Sequence, residues 1–347
     1  MILIDLPPEL LMAIPLFLEN IEDFTNAASS CRTLRNAFSH TNPQTILRLA
    51  AGSAPTFFSP HPMFLVLATA RQASHWAVGN EARTRELHDA LRGGMESLFE
   101  LCLRVGSLTM NDIRRLHLAR FSIINPLSNK IDQMVSQQWY NGRFWIGGVS
   151  DALPVDSIPE RSAFLIMIYW ELFGGTLRAY LEPELALPKF DLSIRLDYIR
   201  HCITSGVIST DSDGEEIYSD DQKTVRHVVG GARWERLWQT PMLEAGPNFE
   251  EGWRQNLWLN ACQSFGLDGM EMIKDVKDPS TRDSRYSMSQ TVQPDQVLNQ
   301  EWRQQLIRIR EQIEQLDSAR HRPKIVNVGF WPWELSEAPD IAEEASI

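Results

Sequence analysis

The chain has 347 residues and a formal net charge of −12, from 33 Lys and Arg against 45 Asp and Glu. That balance excludes a general nucleic-acid binder, which needs a basic face against phosphates, and argues against an electrostatic membrane anchor. Hydrophobic residues make up 43% and charged residues 22%, ordinary globular usage in a chain long enough to bury a sizeable core without disulfides or a metal.

Residues 1–40 read as one unit. Leu6-Pro7-Pro8-Glu9 opens a helix, because proline is preset for a first turn and Glu9 suits the positive end of the helix dipole. Leu10, Leu11, Ile14, Phe17 and Leu18 follow at helical spacing, and Pro15 predicts a kink or an early end. Asp23 is the expected cap of a second helix carrying Phe24, Ala27 and Ala28, and Thr33 to Phe38 read as a short third helix. Residues 41–62, with Pro43, Pro55, Pro60 and Pro62, read as a connection.

Helical periodicity returns at 63–77 and 84–105, then from a cap at Asn111 or Asp112 toward Phe121, and from about Ser128 to Tyr140. Arg161 to Leu181 predicts a buried central helix, weakened or kinked at Gly174-Gly175. Its longest apolar run, Ala163 to Trp170, is far short of the roughly 20 residues a membrane span requires. Leu192 to Ile203 is amphipathic. Residues 205–222 hold Asp211, Asp213, Glu215, Glu216, Asp220 and Asp221 without Lys or Arg ahead of the next helix, and predict a mobile surface loop. Helices are expected at 222–239 and 250–265, and a second mobile loop near 268–294. Val297 or Leu298, then Trp302, Leu306, Ile309, Ile313 and Leu316, form the clearest amphipathic pattern in the chain. A short strand is expected at 325–328, and 334–347 is an acidic tail. The expected fold is mainly α, with few short strands: a three-helix N-terminal module, then a larger irregular α-helical domain over 63–333.

Little in the chain points to chemistry of its own. Cys31, Cys102, Cys202 and Cys262 stand apart, without metal-ligand spacing, and read as buried thiols of a reducing compartment. The first basic residue is Arg32, so no charged leader precedes the early apolar stretch, and a cytoplasmic or nuclear location is expected. No nucleophile elbow, phosphate-binding glycine loop or His-Glu-x-x-His occurs. The glycine pairs Gly93-Gly94, Gly147-Gly148, Gly174-Gly175 and Gly230-Gly231 lack the spacing of a kelch repeat. His201-Cys202 reads as a helix residue beside a buried thiol rather than a ligand or nucleophile, and Asp211-x-Asp213-Gly214 as a solvated loop rather than a calcium site. No cofactor, metal or catalytic residue is expected. Arg320, Arg322 and Lys324, beside His321, either meet an acidic or phosphorylated substrate segment or complement a helix C-terminus. Trp331 and Trp333 either face a substrate or pack back on the core.

The N-terminal residues carry a resemblance. Leu6-Pro7-Pro8-Glu9-Leu10-Leu11, then Ile14 and Leu18, Asp23-Phe24, and Cys31-Arg32-Thr33-Leu34-Arg35 resemble the F-box pattern, in wording most like F-box proteins of filamentous fungi. Pro15 and Leu34 depart from it: the first helix is usually continuous, and Trp or Phe often stands at the second position. The resemblance implies that residues 1–40 dock on a Skp adaptor, and through it on a cullin. Leu6, Pro7, Pro8, Glu9, Leu10, Ile14, Phe17, Leu18, Phe24 and Leu34 would make the contact. The rest of the chain would then hold a protein substrate of an SCF-type ubiquitin ligase, with catalysis left to the partners. A helical interaction or scaffold protein outside any ligase remains the alternative.

Overall fold

In the computed structural model, residues 6–53, 62–139, 158–203, 209–210, 216–217, 219–276 and 298–317 are described. The chain is mainly helical and divides into two units, residues 1–122 and 123–347. The division falls well beyond residue 40, for the reason given next.

Unit one starts with α1 (Pro8–Ala13), which passes at Ile14 into a 3-10 turn, Ile14–Phe17. Pro15 sits early in that turn, so the expected early helix end is present. α2 (Ile21–Ser30) and α3 (Arg32–Phe38) follow. Leu11, Ile21, Phe24, Leu34 and Phe38 are buried between them, with the Phe24 and Phe38 rings stacked at 5.0 Å. The expected connection over 41–62 is not bare chain. Asn42 caps and Pro43 opens α4 (Pro43–Gly52), which buries Ile46, Leu47, Leu49 and Ala50. α4 packs on α2 and on a later helix, so the three-helix module does not stand apart. That later layer is α5 (Met63–Ala77), α6 (Glu81–Arg92), α7 (Gly94–Val105) and α8 (Met110–Ala119), with α5 set against both α6 and α7. The single helix expected over 84–105 is two helices: Gly94 has φ +82°, and no helix continues through a left-handed residue. A π turn, Arg120–Ile124, follows α8.

Unit two holds α9 (Asn125–Trp139), α10 (Pro159–Leu181), α11 (Leu192–Asp197) with a π turn at Tyr198–Cys202, α12 (Asp220–Val229), α13 (Ala232–Ala245), α14 (Gly252–Gln263), α15 (Leu267–Met270) and α16 (Gln300–Gln315). Two short strands, Ser209–Thr210 and Glu216–Ile217, pair antiparallel within the acidic segment.

α10 is the axle of this unit. It is apolar on every side, and α9, α12, α14, α15 and α16 all pack on it. It runs unbroken through Gly174-Gly175. A Cβ on Gly174 would lie 2.2 Å from the Ser264 carbonyl oxygen, so that glycine serves close packing rather than bending. Tyr198 donates from its hydroxyl to the Leu165 carbonyl at 2.7 Å, which fixes the π turn against α10. The expected mobile loop near 268–294 is corrected at its start: Met270, Met272, Ile273 and Val276 are buried, because this short stretch closes over α10 and α14. Residues 277–297 lie outside the described residues.

Candidate functional site

The sequence of α1 sorts its side chains onto two faces. Leu11 and Pro15, four apart, point inward, 3% exposed in the case of Leu11. Leu10, Ile14 and Phe17 fall on the next stripe around, at steps of four and three. Leu10 is 54% and Phe17 82% exposed, and Met12 and Leu16, on the opposite flank of the inward-facing Leu11 and Pro15, are 48% and 60% exposed. Fully burying a Leu or Phe side chain stabilises a structure by about 1.5–3 kcal/mol. Four large apolar side chains are thus left in water on one short segment.

The start of this surface is backbone-defined. Pro7 stands at the N-cap with φ −51° and ψ 145°, and its carbonyl accepts from the N–H groups of Leu10 and Leu11 at 3.0 and 3.2 Å. Pro8 opens the helix, and Glu9 lies in its first turn.

The residues expected to contact an adaptor divide into three groups. Pro7, Pro8, Glu9, Leu10 and Phe17 are exposed, and Leu6, Ile14 and Leu18 are half-buried. Phe24 and Leu34 are buried at 2% and 5% exposure and belong to the core of the module, where an exposed contact position was expected. Arg320, Arg322, Lys324, Trp331 and Trp333 lie outside the described residues, as do Asp211 and Asp213.

Sequence reasoning missed Met12 and Leu16, and also the support behind them. Arg48, on α4, reaches back to the 3-10 turn. Its Nη1 donates to the Leu18 carbonyl at 3.1 Å, and its Nη2 to the carbonyls of Pro15 and Leu16 at 3.1 and 3.2 Å. Just beyond, the buried Ser53 hydroxyl accepts from the Ile21 N–H at 3.1 Å and donates to the Glu22 carboxylate. The legible signal was Asn42-Pro43 followed by Ile46, Leu47, Leu49 and Ala50, a capped amphipathic helix hidden among prolines.

Elsewhere, Cys102, Cys202 and Cys262 are buried as free thiols. Burial pushes the Cys102 thiol up to about 12, with a hydrogen bond from Thr69 opposing it, and raises Cys262 further, so both stay protonated and unreactive near neutral pH. Cys202 is buried beside a half-buried His201. Among the described residues no three His, Cys, Asp or Glu side chains gather to hold a metal ion, and no helix is long and apolar enough to cross a membrane. No family model, no curated protein and no solved structure matches the chain.

Proposed function

We propose that the protein is the substrate-recognition adaptor of an SCF-type ubiquitin ligase, non-catalytic itself and working in the cytoplasm or nucleus. The surface around α1 docks on a Skp-type adaptor protein and through it on a cullin, and the helical remainder holds a protein substrate. Docking places that substrate near a charged ubiquitin-conjugating enzyme and raises its effective concentration there. The observation that carries this reading is the exposure of Leu10 and Phe17 on one flank of the buried Leu11 and Pro15, and of Met12 and Leu16 on the other, in the segment whose residues resemble the F-box opening.

The test is calorimetry of the full chain with a purified Skp-type adaptor. Leu10→Asp with Phe17→Asp should weaken binding at least about tenfold, since truncating a central interface anchor commonly costs more than about 1 kcal/mol and 1.4 kcal/mol is a factor of ten. Both side chains are exposed, so the melting temperature should not fall. A parent chain that does not bind the adaptor overturns the reading, and a helical interaction protein outside any ligase then takes its place.

A further inference from the structure

The exposed stripe depends on a segment that lies outside the sequence pattern suggesting its role. Leu16 and Phe17 belong to a four-residue 3-10 turn. Turns of this kind leave their last carbonyls without partners of their own, and their hydrogen-bond geometry is poor. Leu18 then turns extended, with φ −79° and ψ 150°. A stretch this short, carrying two large side chains in water, has little packing of its own to hold one conformation.

Arg48 supplies what is missing. One guanidinium group accepts no hydrogen bond itself but donates to three carbonyls within four residues, those of Pro15, Leu16 and Leu18. These three flank or carry the exposed Leu16 and Phe17. The planar fork of arginine suits several acceptors at fixed separation, and its charge strengthens each bond. α4 is itself locked in place from two directions. Ile46, Leu47, Leu49 and Ala50 bury its inner face, and at its C-terminus a Cβ on Gly52 would lie 2.1 Å from the Glu19 carbonyl oxygen. Ser53 holds the first turn of α2 in the same region. The guanidinium therefore projects from a rigid base onto the turn.

We propose that Arg48 is the positioning residue of the docking surface. Arg48 does not touch the partner in this account. It holds Leu16 and Phe17 in the conformation the partner meets, so less ordering remains to be done on binding. The inference rests on the adaptor reading above for the partner's identity, but the clamp itself can be observed without a partner.

The experiment uses the full chain as parent, Arg48→Met, which keeps the stem and removes the donors, and Arg48→Lys, which keeps charge and one donor head. Two readouts are taken: affinity for a purified Skp-type adaptor, and hydrogen–deuterium exchange of the peptide spanning 14–20. Arg48→Met should speed exchange in that peptide while α5 to α7 keep their protection, and should weaken adaptor binding roughly tenfold, the loss of charge-assisted bonds on a partly exposed surface. Arg48→Lys should fall between the two in both readouts. Unchanged exchange in Arg48→Met overturns the inference, and so does faster exchange with parental adaptor affinity. If the parent does not bind the adaptor, the ligase reading falls, and the exchange result alone decides whether Arg48 orders the turn. Should Arg48→Met lose protection throughout α5 to α7, the residue is a general support of the fold, the positioning claim fails for that variant, and Arg48→Lys decides it by the same two readouts.

Discussion

At the scale of single residues, the acidic side chains that open helices act one step removed from the cap. Asp23 is not the cap of α2. Asn20 is, accepting from the Asp23 N–H at 2.8 Å, while the Asn20 side-chain amide donates to the Asp23 carboxylate. α8 goes further and closes a reciprocal pair: Thr109 accepts from the Asp112 N–H, and Asp112 accepts from the Thr109 backbone N–H at 2.8 Å. A carboxylate at the third position bonds the cap residue, through its side-chain amide in α2 and its N–H in α8, and still faces the positive helix end, so an acidic signal marks the helix start correctly and the cap three residues late. Glycines divide in a similar way. Gly174 and Gly175 are adjacent, yet a Cβ on the first meets the Ser264 backbone and a Cβ on the second meets nothing within 4 Å. Gly174→Ala should therefore destabilise unit two by about 2 kcal/mol through overpacking. Gly175→Ala, exposed in a helix interior, should stabilise it by up to about 1 kcal/mol. Paired thermal melts check both, and equal effects of the two would contradict the packing account.

At the scale of elements, periodicity finds helices well and their joints poorly. α5 and α16 lie where apolar spacing at steps of three and four puts them, and α10 where a long unbroken apolar run puts it. The breaks at Gly94 and at Gly230-Gly231 are short interruptions of otherwise helical spacing, and the pattern reads straight across them. α16 shows how an amphipathic helix is fastened once it is placed. Leu306 and Ile313 are fully buried, and Arg310 lies 4.8 Å above the Phe249 ring and 5.7 Å from the Trp258 ring. Its Nε donates to the Pro247 carbonyl at 3.1 Å, and it pairs with Glu314. In return Arg254 of α14 donates to the Leu316 carbonyl at 2.9 Å, at the end of α16. Arg310→Ala should lower stability in urea by about 1–2 kcal/mol, because a mostly buried guanidinium loses ring contacts and a backbone acceptor together. Arg308→Ala, on the exposed side of the same helix, should change it by less than about 0.5 kcal/mol.

At the scale of the whole molecule, the excess of acid sits in the second unit, while the first is close to balanced. Each unit also carries a half-buried histidine held below its ordinary value. For His117 the cause is burial, then the Arg120 charge, and for His227 burial, then the Arg233 charge. The unfolded chain takes up these protons first as pH falls through the ordinary value of 6.5, so the two groups withdraw stability from about pH 7 downward and the loss is complete below their folded values. The melting temperature should be lower at about pH 5.5 than at about pH 7.5, and His117→Gln with His227→Gln should shrink that difference. An unchanged difference would show that other groups govern the acid side.

The sequence by itself determined the mainly helical class, the burial of α10 and the amphipathic face of α16, because these follow from the spacing of apolar side chains along one element. It also carried the resemblance at residues 6–35, which is a matter of residue order. Only the tertiary structure decided which of the adjacent Leu10 and Leu11 faces water, since both satisfy helical spacing and the packing of α3 on α1 makes the choice. The same packing drew Phe24 and Leu34 inward. Arg48 was beyond the reach of local pattern altogether. Its acceptors lie 30 to 33 residues earlier in the chain, and they come within its reach only when α4 folds back.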